Sequence, residues 1–411
     1  MSTPFPTRRR VAGRRRASAT ASFLALTLGL ALVACSGTDD GGASPGGQAA
    51  GGAPAQEVAP LALQVNVPRG AREVPVERTV AVAAEHGRLS AVRLGAGERR
   101  VAGELDTDGA TWRATERLEP GTTYALRVVA TDDAGERVVE TRSFRTRALS
   151  LAEQTFASVA PLNGETVGIG MPVVVTFDVP VQDRARFERH MSVTSQPQQA
   201  GSWHWISSTE ARWRPREYWR PGTRVKVDLD LNSLPAGAGI YGQESRSLAF
   251  EVGEAHVYRV DAAAHQMRVF SGGKLVNSFP ITTGKEGFTT RSGVKVIMEK
   301  SESRRMNSET VGIAAGSADA YDIDNVQWAM RLTSSGEFIH AAPWSVGSQG
   351  VANVSHGCTG MSTEDAAWLY SLARRGDVVE YVGTDRAMTV ENGWGDWNVP
   401  FGEYRAGSAL G

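Results

Sequence analysis

Among the 411 residues, the side chain best placed for covalent chemistry is Cys358, in Ser355-His356-Gly357-Cys358, with a second histidine, His340, upstream. A cysteine attacks as thiolate rather than thiol, so it needs a base within hydrogen-bond reach. In an extended segment, positions two apart share a face, which would point His356 and Cys358 the same way. Gly357 between them has no side chain and lets a substrate approach the backbone. The pattern points to an enzyme with a cysteine nucleophile.

The elements that must position this cysteine are mostly strands. Residues 256–260 and 266–270 alternate apolar and polar around a turn, and Ser271-Gly272-Gly273 leads into 274–279, which reads as a β-meander. Loops rich in Gly, Ser and Thr are expected at 282–293 and 301–319, the second long enough to act as a lid. One helix follows the cysteine. Ser362 caps it, Asp365 stands third, and Ala366, Leu369, Tyr370 and Ala373 form its apolar stripe. Arg374 and Arg375 suit its last turn, Gly376 ends it, and 377–382 reads as a closing strand.

Upstream lies an internal repeat. Trp112-Arg113, Pro120-Gly121-Thr122 and the alternating Tyr124, Leu126, Val128 recur as Trp213-Arg214, Pro221-Gly222-Thr223 and Val225, Val227, Leu229, all at an offset of 101. Pro-Gly supplies a turn and the alternation a half-buried strand. Further short β runs at 61–67, 79–83, 137–144, 173–177, 202–206 and 248–252 make two units of about 100 residues. They read as tandem immunoglobulin-like sandwiches serving as a spacer.

The ends add a location. Six arginines between Arg8 and Arg16 precede an apolar run from 21 to 34, too short to span a bilayer, that ends in Leu32-Val33-Ala34-Cys35. This reads as a signal peptide whose lipobox cysteine, Cys35, is lipidated. Residues 36–54 then form a Gly/Ala/Ser/Pro tether. Cleavage would remove six of the 44 basic residues and none of the 45 acidic ones, leaving a net charge of −7. That balance has no electrostatic footprint for nucleic acid. A single remaining thiol in an oxidising compartment reads as a working one. The histidines have no ligand spacing, so no metal and no cofactor are expected.

Ile339-His340-Ala341-Ala342-Pro343-Trp344-Ser345, together with Ser355-His356-Gly357-Cys358 and the following helix, closely resembles the catalytic core of bacterial L,D-transpeptidases, the YkuD-type domain. Gly395-Asp396-Trp397-Asn398 resembles the C-terminal segment of the mycobacterial branch, whose layout of lipobox and two immunoglobulin-like modules is repeated here. The resemblance implies a mainly β chain: signal peptide 1–35, linker 36–54, immunoglobulin-like domains 55–149 and 150–253, catalytic domain 254–383, and an aromatic extension 384–411 packed on the catalytic domain.

It also implies a reaction. Cys358 attacks the carbonyl before the terminal D-alanine of a peptidoglycan tetrapeptide, and the amine of another stem's third residue resolves the thioester into a 3→3 cross-link. His356 is then the base, with the Ala341 carbonyl orienting it where many relatives carry serine, and His340 lies behind it or on the acceptor side. The Gly357 and Cys358 N–H groups face the oxyanion, and Tyr321, Ser355, Trp344 and Thr359 touch substrate. Gly360 stands where many relatives have asparagine or arginine, which leaves donor preference open. Implied partners are two stem peptides, the membrane through the anchor, and carbapenems as covalent inhibitors, in the cell-wall space. The competing readings are an L,D-carboxypeptidase, with water as acceptor, and a non-catalytic wall-binding lipoprotein.

Overall fold

The computed structural model describes residues 59–411; the leader, Cys35 and the tether lie outside the described residues. No helix among them is long and apolar enough to cross a membrane. The described chain is mainly β, as its alternating runs imply.

Two four-stranded sheets form the first sandwich. Ala62–Val65, Ala81–Glu85, Thr111–Ala114 and Gly103–Leu105 face Arg99–Val101, Gly87–Ala96, Thr123–Asp132 and Arg137–Arg145. Trp112, Tyr124, Leu126, Val128 and Phe144 fill the space between them, where burying large side chains is the main favourable term. The second sandwich repeats the plan. Trp213 is buried like Trp112, and Gly121 and Gly222 both turn at positive φ, at +57° and +76°. The strands Thr123–Asp132 and Arg224–Leu229 follow those turns.

The half expected to be catalytic is built on two further sheets. One orders Lys274–Pro280, Gln266–Ser271, His256–Asp261, Val378–Val382 and Gly293–Val296; the other orders Glu299–Asn307, Asp322–Arg331, Phe338–Ala341 and Thr359–Met361. Tyr258, Met267, Ile297, Met330, Ile339 and Leu369 lie in the core between them.

Three local expectations need correction. The first seven of the nineteen residues of the loop expected at 301–319 are strand: Glu299–Asn307 pairs antiparallel with Asp322–Arg331 to make a hairpin flap. Its run of Glu, Ser and Arg has no apolar alternation to read, and the partner strand imposes the extended form. The helix does run Thr363–Leu372 with Asp365 N–H donating to Ser362 Oγ at 3.1 Å. It ends before Arg374 and Arg375, however, and Lys300 Nζ donates to the Tyr370 and Ala373 carbonyls at its C-terminus. The next residues leave the helix to join the second sandwich. Gly168 N–H donates to Arg375 O, Gly170 N–H to Gly376 O, and Arg375 pairs with Glu165.

The third correction concerns the tail, which packs on more than the catalytic half. Asn398 exchanges two hydrogen bonds with Val294 of the catalytic sheet, and Trp397 Nε1 donates to Gly170 O of the second sandwich at 2.8 Å. Further on, His204 Nδ1 donates to Tyr404 O, and Glu188 accepts from Ser408 and from Ala409 N–H. Arg214, buried here, lies against the rings of Trp397, Phe401 and Tyr404 at 4.6, 5.4 and 4.4 Å. Arg113, its counterpart in the repeat, is exposed. The aromatic tail is therefore a strap holding the second sandwich to the catalytic half.

Candidate active site

Phe338–Ala341 and Thr359–Met361 are parallel neighbours with His340 opposite Gly360. Residues in register on adjacent strands share a face, and so do residues two apart on one strand. His340 and Gly360 thus belong to one face, while Ile339 and Thr359 turn into the core, both fully buried; Cys358 stands just before the second of these strands. His340 and Cys358 line one cavity of about 260 Å³, roofed by Met306, Tyr321 and Ile323 of the flap and edged by Trp344, which is 56% exposed.

His340 is 6% exposed and its Nδ1 lies 2.8 Å from the Ala341 carbonyl oxygen. A carbonyl only accepts, so Nδ1 carries the proton. The neutral ring then has its lone pair at Nε2. Burial pulls the His340 pKa below its ordinary value, against the carbonyl hydrogen bond. The result is a neutral imidazole in a fixed tautomer.

His356 sits otherwise. Gly357, at φ +121°, and the bend at 356–357 break the expected alternation. The ring's Nε2 is 3.3 Å from Asp319 Oδ1, a flap carboxylate that also takes Lys285 Nζ at 2.6 Å. Tyr321 stacks on the ring at 5.2 Å and Phe288 meets it edge-on at 4.7 Å. The expectation that the Ala341 carbonyl orients His356 is overturned, because that oxygen holds His340.

Cys358 Sγ, half-buried, donates to Gly336 O at 3.6 Å. Burial pushes its thiol up to about 12, and the Glu337 charge adds to that against Lys295 and Arg331. The resting sulfur is a thiol, so an ionised sulfur held by His356 is not the ground state.

Two further expected contacts change. Gly357 N–H already donates to Ser355 Oγ at 3.1 Å, so it is not open to an oxyanion. Thr359 is buried, 2.6 Å from Tyr381 Oη, and is not part of the lining of this cavity. Ser355, Tyr321 and Trp344 do line it, and Ser355 Oγ also braces the cysteine turn by donating to Cys358 O at 2.6 Å. Burial and the nearby Cys358 raise the Tyr321 phenol to about 12, so it stays a donor.

Gly360 has a steric reason. A Cβ there would lie 2.9 Å from Thr282 Cγ2 and 3.0 Å from Ala342 Cβ. Behind the cysteine turn lies a buried group that sequence spacing does not signal. Glu337 accepts from Lys295 Nζ at 2.6 Å and from Arg291 Nη1 at 2.8 Å, with Lys295 also over the Tyr381 ring at 3.7 Å. Asp319 was equally hidden, since nothing near it in the chain marks it as facing a histidine. No cluster of metal-ligating side chains occurs among the described residues.

Comparison with known proteins gives the family. A family model for a bacterial Ig domain matches residues 71–235, and one for the L,D-transpeptidase catalytic domain matches 255–380. L,D-transpeptidase 2 of Mycobacterium tuberculosis is 35% identical over 397 residues, 96% of each chain. L,D-transpeptidase 5 of the same organism is 34% identical over 75% of this chain and 68% of its own. A solved L,D-transpeptidase in complex with imipenem aligns at 38% identity over 55% of this chain and 98% of its own, with a TM-score of 0.49.

Proposed function

The chain belongs to the L,D-transpeptidase family, and from that premise we propose that it joins two peptidoglycan stems by a 3→3 cross-link through a thioester on Cys358. The observation that carries the mechanism is that His340, its tautomer fixed by Ala341, and Cys358 line the same cavity.

His340 Nε2 takes the proton as Cys358 Sγ attacks the carbonyl before the terminal D-alanine. A thiol with a raised pKa favours attack coupled to this transfer over a standing thiolate. The carbonyl oxygen gains charge and is met by the Cys358 N–H and the Tyr321 hydroxyl; one such donor is worth on the order of 10²–10³ in rate. The C–N bond breaks, His340 hands its proton to the departing nitrogen, and D-alanine leaves. The amine of the second stem then attacks the thioester and loses a proton to His340, which passes it to the departing sulfur. His356 anchors the flap through Asp319 and walls the cavity. Lipidation at Cys35 would place this chemistry at the outer face of the membrane.

The test is to incubate the protein with disaccharide-tetrapeptide and read products by mass. A dimer lacking one D-alanine supports the proposal; tripeptide alone means water is the acceptor, and no product means the thioester never forms. A carbapenem adduct on the intact protein that is lost in Cys358→Ala locates the nucleophile.

A further inference from the structure

Cys358 lies where two cavities meet. The apolar one holds His340. The other, of about 140 Å³, opens on the far side of Met306 and Tyr321 and is lined by Arg304, Asn307, Arg331, Gly336 and Phe338 as well as Cys358. Both guanidiniums lie against the Phe338 ring, at 5.2 and 4.8 Å. They share one carboxylate: Glu299 lies 2.8 Å from Arg304 Nη1 and 3.6 Å from Arg331 Nε. Arg305, also at this mouth, is matched by Asp322 and Asp324, and Arg331 Nη1 donates to the Thr333 and Ser334 carbonyls. Between themselves, Arg304 and Arg331 have two cations to one anion beside the nucleophile. Burial presses the Arg331 pKa down, Arg304 adds to that, and Glu299 offsets only part. A carboxylate entering here would complete the count, and a planar guanidinium suits one by geometry.

We propose that Arg304 and Arg331 form a subsite for the carboxylate of the group expelled when Cys358 is acylated. This rests on the reaction proposed above, in which the leaving group is an amino acid whose carboxylate stands one carbon from the departing nitrogen. The stem then occupies the apolar cavity, the scissile bond lies over the sulfur, and the terminal residue points into the arginine-lined one. Once D-alanine has gone, that cavity is vacated while the thioester persists, which opens a second approach to it.

Two donors test this, one ending in the D-alanine carboxylate and one in its carboxamide. The wild type should favour the carboxylate by about tenfold in KM, the effect of a charge-assisted pair, and Arg304→Gln with Arg331→Gln should abolish that preference. Glu299→Gln, which removes that one anion, should widen it. An unchanged preference in the double variant overturns the subsite. A second measurement works even if no donor turns over, an outcome that would sink the transpeptidase reading alone. N-acetyl-D-alanine should slow iodoacetamide alkylation of Cys358 more than N-acetyl-D-alaninamide does, and the difference should vanish in the double variant. Equal protection by both ligands in the wild type overturns the proposal.

Discussion

The two walls of the reactive cavity are built differently. On the sheet wall, His340 is held by the carbonyl of its own neighbour, within a strand paired on both sides. On the loop wall, His356 is held by Asp319, from a loop whose hold depends on the flap lying down. One histidine has its orientation and tautomer from local backbone; the other has its partner from the loop at the tip of the flap. A proton carrier needs the first kind of support, because transfer demands a fixed lone pair. A cover needs the second.

The sharpest break of this contrast is a pair of substitutions. His340→Ala should lower kcat by about 10³, within the range for loss of a general base, and His356→Ala by about tenfold or less. Reversed magnitudes in steady-state assays would move the base to the loop wall. Next is pH. With the Cys358 thiol pushed up to about 12, less thiolate is present at neutral pH than for an ordinary cysteine. Iodoacetamide alkylation of the resting protein should then climb about tenfold per pH unit between roughly pH 7 and 9. A plateau below pH 8 would mean a thiolate stabilised by an imidazolium. His340 has its pKa lowered by burial, so it stays in its base form further into acid, and the acid limb of kcat/KM should fall below about pH 6.5.

A smaller effect sharpens the sheet side. Gly360→Asn must push on Thr282 and Ala342. It should cost about 1–3 kcal/mol in denaturant unfolding, the usual range for overpacking. Smallest is Asp319→Asn, which weakens a solvent-screened contact of little worth to stability. It should raise KM a few-fold and leave kcat nearly intact; a collapse of kcat would show that the flap latch orients a catalytic group.

The two walls also differ in how far they could be read from the chain. The nucleophile, both histidines, the helix cap at Ser362 and the 101-residue repeat rest on local signals, and the structure contains each of those elements. The choice of base rested on period-2 alternation across Gly357, and a glycine at φ +121° is where that alternation fails. The pairing of Phe338–Ala341 with Thr359–Met361, which brings His340 to the cysteine, depends on long-range register that spacing cannot supply. The same holds for Asp319, Glu337 with Lys295, and the arginines at the second mouth. In the repeat, Arg113 and Arg214 look alike in sequence, and only the tail distinguishes them.

That tail governs reach. With Arg212 hydrogen-bonded to Val390, Gly393 and Asp396 and Arg214 stacked under three rings, the second sandwich and the catalytic half are tied together. At the seam between sandwiches, Arg117 reaches Asp230 and Asn232, and Arg147 pairs with Glu153 and lies 5.7 Å from the centre of the Tyr241 ring. Any swing at that seam would carry the tied pair with it, active site included.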